Sequence, residues 1–199
     1  RDQPRSRGLG DVYKRQEIRN LPYHNFRLNE TRRMVWGKLP ELDLAEFIHP
    51  APYRERTRCR VVYGREVEDV SYIPYHLRQV HSLKLVDCDE ADYSLKSTDR
   101  SLLDKLFARR GEKDDVLIVR NGCLTDTSIA NVALWNGTEW HTPSSPLLKG
   151  THRRRLLDEK QLVERDITVD DLPLYSRIRL FNAMISFGEI EIDSSELGY

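Results

Sequence analysis

Two Asn-Gly dipeptides, Asn121-Gly122 and Asn136-Gly137, constrain this chain more than any other feature. Asn and Gly tolerate the positive φ that a tight hairpin turn demands, and the twist of that turn matches the twist of the strands it joins. Before the first turn, Val116-Leu117-Ile118-Val119 is an unbroken apolar run behind Asp115, the pattern of a buried strand. Residues 131–135 and 138–141 flank the second turn, so the middle of the chain reads as successive antiparallel strands. Helical spacing surrounds this block. Leu102, Leu103, Leu106 and Phe107 predict a helix stopped by Gly111, and residues 151–160 predict another with Thr151 as its N-cap. Upstream, the pattern predicts a helix over 24–36 closed by Gly37 and a short helix over 41–48 ended before Pro50. Strands over 58–62 and 67–72 meet in a hairpin at Gly64-Arg65, and the short apolar stretch over 82–86 suits a crossing between domains. Further strands are predicted over 167–169 and 178–181. Hairpin-linked strands interleaved with helices specify an α+β fold.

Composition narrows the function classes. The chain has 199 residues, enough for one large domain or two small ones, and a net charge of zero. That balance argues against nucleic acid or an anionic membrane as partner, and Arg153-Arg154-Arg155 reads as the solvated face of an amphipathic helix. No apolar run is long enough to span a bilayer, so no membrane role is expected. Cys59, Cys88 and Cys123 are odd in number and form no CxxC pair, which fits reduced thiols in a cytoplasmic protein better than zinc or disulfides. His141 and His152 lack metal-ligand spacing, so no metal is expected. Ser128 has no nucleophile-elbow pattern around it, and GxGxxG and P-loop motifs are absent.

Four segments carry the chemistry. Lys96 lies in Tyr93-Ser94-Leu95-Lys96-Ser97-Thr98-Asp99-Arg100. About thirty residues later comes Thr125-Asp126-Thr127-Ser128-Ile129-Ala130-Asn131, then Thr142-Pro143, then Leu147-Leu148-Lys149-Gly150-Thr151-His152-Arg153. A lysine amine, a carboxylate after a hairpin turn, and a Gly-Thr loop opening a helix are the protein parts that pyridoxal phosphate needs. The amine bonds the cofactor covalently. The carboxylate keeps the pyridine nitrogen protonated, and loop amides at a helix N-terminus hold the phosphate. Taken singly, each part has a plainer explanation: a solvated lysine, turn chemistry after Asn-Gly, an ordinary helix start.

In this order and spacing, the segments resemble the class IV aminotransferase family, which has the type IV pyridoxal-phosphate fold. The resemblance runs over residues 17–189 and is strongest over 96–153. It implies a small N-terminal α/β domain over 17–82 and a larger, mostly antiparallel sheet or pseudo-barrel domain with helices over 83–199. Residues 1–16 look like a non-native or disordered segment, so a first strand is expected to be missing, with Glu17-Ile18-Arg19 as its remnant.

By the same resemblance, Lys96 is the catalytic and cofactor-bearing lysine. Asp126 takes the place of the family's usual glutamate, one methylene shorter. Arg27, in His24-Asn25-Phe26-Arg27, contacts the phosphate, as do Gly150, Thr151 and His152, with Asn182 and Ala183 forming a second phosphate turn. Tyr72, Tyr75 and Arg78 are the substrate candidates, and the cleft is completed by a second subunit of a homodimer. The implied partner is a small amino-acid-like substrate. The Lys-Ser-Thr-Asp-Arg segment and the chain's shortness lie nearer 4-amino-4-deoxychorismate lyase, which serves folate biosynthesis, than the transaminases. A branched-chain or D-amino-acid transaminase is the alternative, and a non-catalytic member that binds pyridoxal phosphate is a third.

Overall fold

A computed structural model describes residues 6–13, 17–50, 52–53 and 55–198. The chain divides into two compact units, one holding the described residues through Leu77 plus Leu95–Thr98, the other Arg78–Ser94 plus the described residues from Asp99 onward.

The first unit is a four-stranded sheet with one helix. Strands β1 (Ser6–Tyr13), β2 (Glu17–Arg19), β3 (Thr57–Tyr63) and β4 (Val67–Pro74) take the order β2-β1-β3-β4, all pairs antiparallel. Helix α1 (Leu21–Trp36) starts earlier than its apolar spacing indicates, because Pro22 sits in its first turn, where a missing N–H costs nothing. Leu28, Leu44, Ile48, Cys59, Val61 and Tyr63 form this unit's core. The short helix expected over 41–48 is only a 3-10 turn, Leu44–Glu46. Asp43 caps it by accepting from the Ala45 amide, and Asn25 Oδ1 accepts the Leu44 amide, so side chains take the donors that a longer helix would use.

A strand also runs where the sequence shows no hydrophobic alternation. Residues 6–12 pair in register along 57–63 of β3, with Ser6 opposite Tyr63 and Val12 opposite Thr57. Main-chain groups make such pairing, so apolar alternation is not required for it. The remainder of the 1–16 segment expected to be foreign, residues 1–5 and 14–16, lies outside the described residues.

The second unit holds nine strands among its described residues. The path is β10 (Val163–Arg165), β9 (Trp140–Pro143), β8 (Asn131–Trp135), β7 (Cys123–Thr127), β6 (Asp115–Arg120), β5 (Leu83–Asp87) and β13 (Leu197–Gly198). Off this path, β11 (Arg177–Phe181) pairs with both β8 and β12 (Ile190–Asp193). Antiparallel pairs predominate; β5 with β6, β5 with β13, and β9 with β10 are parallel. Asn121 (φ 51) and Gly122 (φ 74) both adopt the left-handed conformation, as the β6–β7 hairpin demands. Helix α2 (Ser101–Ala108) buries Leu103 and Leu106 in a core with Val86, Val116, Ile118 and Leu147. Helix α3 (Thr151–Asp158) packs Leu156 against Ala133, Leu162 and Phe181.

Three expectations are corrected here. Gly150, not Thr151, is the N-cap of α3, so Thr151 is the first helical residue. Residues 167–169 form no strand. Thr168 and Asp171 close a capping box that turns the chain into a 3-10 helix, leaving a single bridge between Cys123 and Thr168. Arg153 is not solvated: it is 3% exposed, and its guanidinium donates to Pro143 O (2.8 Å) and Glu164 Oε1 (2.6 Å).

Candidate active site

The catalytic candidates fall into two groups, one on each unit. In the first unit, Lys96 sits in the Leu95–Thr98 segment, which clusters with α1 and its sheet although the flanking residues belong to the second unit. Its backbone is left-handed, φ 49, a conformation that costs a side-chain-bearing residue about 1–2 kcal/mol. Such strain persists where the surroundings over-determine it, typically at sites of chemistry. Arg27 lies one helical turn from His24 on α1. His24 is 2% exposed, and neither ring nitrogen has a hydrogen-bond partner among the described residues. Burial pushes its pKa down, and the nearby charges of Arg27 and Lys96 push it further, so the ring is neutral. No role for His24 was legible in the sequence beyond its place in the His24-Asn25-Phe26-Arg27 run.

In the second unit, Asp126 ends up buried on β7. Asn131 Nδ2 donates to its Oδ1 (2.8 Å) and the Leu148 amide to its Oδ2 (2.8 Å). Burial raises the carboxyl from 3.8 to about 6. The Leu148 amide, Asn131, the charge of Arg153 and the Leu147 amide pull the other way. The group is therefore mostly ionised at neutral pH. Residues 128–129 turn the chain, with Thr127 Oγ1 accepting from the Ala130 amide (3.0 Å). Arg100 braces the turn through a bond to Ser128 O (2.8 Å).

Around the start of α3, Gly150 has ordinary φ but no room for a side chain, because a Cβ there would collide with Asn131 Oδ1. Thr151 Oγ1 is buried without a hydrogen-bond partner. The first amides of any helix lack intrahelical acceptors and carry partial positive charge. An orphaned hydroxyl beside such amides is a donor set suited to a phosphate.

The His152 ring faces inward. Its Nδ1–H donates to Asn182 O (2.7 Å), and its Nε2 accepts from the Arg155 guanidinium (3.0 Å). Asn182 Oδ1 accepts from the Met184 (2.7 Å) and Ile185 (2.9 Å) amides, spanning Ala183, while its Nδ2 donates to Ile129 O (2.9 Å). One network thus joins the 126–131 turn, the start of α3 and the 181–185 turn.

The three substrate candidates do not gather in one unit. Tyr72 and Tyr75 belong to the first. The Tyr72 hydroxyl accepts from the His49 amide (2.7 Å), and the Tyr72 ring stacks on Tyr53 at 4.4 Å. Arg56 lies over the Tyr75 ring. Arg78, in the second unit, pairs with the fully buried Asp115 and lies over Phe107 at 4.8 Å. No group of three or more His, Cys, Asp and Glu side chains is gathered to hold a metal among the described residues. Cys59, Cys88 and Cys123 are free thiols. No described helix is long and apolar enough to cross a membrane.

The profile of the amino-transferase class IV family matches residues 12–191. The chain belongs to this family. An uncharacterized protein of Haemophilus influenzae is 37% identical over 172 residues, covering 84% of this chain and 92% of that protein. A crystal structure from Haemophilus somnus, of a protein provisionally named 4-amino-4-deoxychorismate lyase, superposes with a TM-score of 0.86 at 35% identity. It covers 92% of this chain and 98% of the other. A hypothetical aminotransferase from Mycobacterium tuberculosis in its pyridoxal-phosphate-bound form has a TM-score of 0.77 at 20% identity, over 97% of this chain and 81% of that one, and shares the fold. The protein is thus a type IV pyridoxal-phosphate-dependent enzyme.

The residues present fit the class IV cofactor. In the first unit a strained lysine is of the kind its amine-reactive carbonyl takes; in the second, a buried carboxylate and an orphaned hydroxyl at a helix start are of the kinds its ring nitrogen and phosphate take. Asn131, bonded to the Asp126 carboxylate, is the neighbour of this candidate that sequence reading passed over. Its signal was its spacing, five residues after Asp126, across a turn that folds back on itself.

Proposed function

We propose that this class IV enzyme is a 4-amino-4-deoxychorismate lyase, releasing pyruvate and 4-aminobenzoate for folate biosynthesis in the cytoplasm as a homodimer. The observation that carries this reading is the 35% identity, over 92% of the chain, to the Haemophilus somnus protein that bears the lyase name. When bound, the cofactor supplies an electron sink for bond breaking at the substrate's amine-bearing carbon.

The protein's own groups do the rest. Lys96 would hold the cofactor through its amine, and that amine would carry the proton at that carbon. The neutral His24 beside it adds no positive charge that would oppose protonation of the amine. Asp126 would accept a hydrogen bond from the ring N–H and favour its protonated form. Gly150, Thr151, the backbone of His152 and the 182–183 turn would receive the phosphate, and Arg27 of the first unit is the further candidate for it. Tyr72, Tyr75 and Arg78 remain the candidates for the substrate's carboxylates. Tyr72 and Arg78 would have to act while keeping the partners they already hold.

The test is pyruvate release from aminodeoxychorismate by the full chain supplied with pyridoxal phosphate, with Lys96→Ala as control. Lysine-dependent pyruvate supports the lyase. A lysine-bound cofactor absorbance band without pyruvate moves the assignment to a transaminase, and amino-acid donors are then screened. Absence of the band in both proteins overturns the cofactor roles given to these residues.

A further inference from the structure

The usual family glutamate is replaced here by a shorter acid, and the structure shows what holds it. Asn131 Nδ2 lies 2.8 Å from Asp126 Oδ1 and 2.8 Å from Leu148 O. Both neighbours are acceptors, so both amide hydrogens are used and the orientation of the Asn131 amide is fixed by chemistry. The other carboxylate oxygen takes the Leu148 amide. Each oxygen of Asp126 thus accepts at least one hydrogen bond, and the Leu147 amide adds to them, while a carboxylate offers about four acceptor sites. Asn131 is itself 5% exposed and sits on β8, paired directly with Asp126 across the β7–β8 ladder. Its Oδ1 occupies the space that a side chain at position 150 would need. One amide therefore ties the carboxylate, the 147–148 loop and the glycine that opens α3.

We propose that Asn131 is a positioning residue that holds Asp126 ionised and in place for the cofactor's ring nitrogen. The inference rests on the reading of Asp126 given above. The physical reason is a narrow balance. Burial alone drives a carboxyl toward its neutral form, and a neutral acid cannot keep a pyridine nitrogen protonated. Three kinds of group oppose burial: the backbone amides of the 147–148 loop, the Asn131 amide on β8, and the charge of Arg153 on α3, itself bonded to Glu164 of β10. The backbone amides come with the fold. Asn131 is the side chain that touches the carboxylate directly, and it is uncharged, so it stabilises the anion without competing for the ring proton.

The experiment uses the full chain, first without cofactor. The Asp126 carboxyl is titrated by carbon-13 NMR in the wild type, in Asn131→Leu, which has similar volume and no donor, and in Asn131→Ser, which keeps one donor. Loss of a hydrogen bond to a charged group moves the titration upward by about one to two pH units. We expect that shift in Asn131→Leu and a smaller one in Asn131→Ser. Pyridoxal phosphate affinity is then measured from pH 6 to 8. It should become steeply pH-dependent in Asn131→Leu and weaken toward low pH, while the wild type changes little above pH 7. An unchanged Asp126 titration in Asn131→Leu overturns the proposal, as do equal shifts in both variants, which would assign the effect to packing. The inference and the functional reading fail separately. A shifted titration in a protein that binds no cofactor keeps the Asn131–Asp126 coupling and rejects the cofactor role. Normal cofactor binding with an unshifted titration does the reverse.

Discussion

Replacing Arg78 by methionine separates two roles that the sequence could not distinguish. Asp115 is 0% exposed and accepts from the Arg78 guanidinium and from the Val116 amide, whereas the Arg78 side chain is 40% exposed. Removing one partner of a buried ion pair leaves an uncompensated charge, typically about 3–5 kcal/mol. Water reaches the arginine end, so the lower figure applies. Methionine keeps the aliphatic stem over Phe107 and forfeits a cation–π contact of about 0.5–1 kcal/mol. The sum is a loss of about 3–4 kcal/mol. Asp115→Asn removes the charge itself, keeps an acceptor for the Val116 amide and leaves Arg78 able to reach water, costing about 1–2 kcal/mol. The double variant should therefore be only slightly worse than Asp115→Asn, giving a coupling of about 2–3 kcal/mol between the two positions. Urea unfolding followed by tryptophan fluorescence reads all three, since Trp135 and Trp140 lie in the same unit as the pair. Additive losses would refute the buried-pair argument. An Arg78→Met protein of wild-type stability whose KM rises at least tenfold would move Arg78 to the substrate instead.

Three further outcomes are expected. Because Asp126 titrates near 6 when folded and near 3.8 when unfolded, the folded state holds its proton more readily between those values. The group thus removes about 3 kcal/mol of stability from the cofactor-free protein as pH rises from 4 to 6, and nothing more above that; Asp126→Asn should flatten this segment, and a wild-type-minus-variant difference constant from pH 4 to 7 would count against it. Gly150→Ala places a Cβ against Asn131 Oδ1, which two bonds hold still, so stability should fall by about 1–3 kcal/mol in thermal or urea unfolding, and a neutral result would mean the contact is soft. Lys96→Gly should be more stable than Lys96→Ala by about 1 kcal/mol in the cofactor-free protein, since only the glycine relaxes at φ 49, and equal unfolding midpoints would rule out stored strain there.

What could be read in advance followed from local chemistry. Asn121-Gly122 specified its turn because both residues accept positive φ, and Leu103 and Leu106 marked the buried face of α2 by their spacing. Pairing through main-chain groups left no such trace, which is why β1 was invisible while β3 beside it was plain. Side-chain capture of backbone donors misled in the same way: Asp43 and Asn25 cut a helix to one turn, and Thr168 with Asp171 replaced a strand by a 3-10 helix. Arg153 was misread because charge patterning assumes solvent, whereas its partner Glu164 lies on a separate strand, and that pairing is not encoded in the sequence around α3. Lys96 and Asp126 were proposed from motif order alone. The support of Asp126 was not legible there, because Asn131 and Leu148 meet it only after two chain reversals.

Three residues proposed for the site, Lys96, Thr151 and Asp126, and His24, one helical turn from Arg27, break local rules. Lys96 adopts a conformation that its side chain disfavours, His24 buries two unpartnered nitrogens, Thr151 buries an unpartnered hydroxyl, and Asp126 buries a carboxylate. Each costs stability. If these costs were incidental, exchanging the residues for locally favoured ones should stabilise the protein and leave its affinity for pyridoxal phosphate unchanged. If they prepare the site, the same exchanges should stabilise the cofactor-free chain while weakening cofactor binding, because the unmet donors, the strained lysine and the balanced carboxylate are what the cofactor satisfies. The two quantities moving in opposite directions is the signature that separates preparation from imperfection.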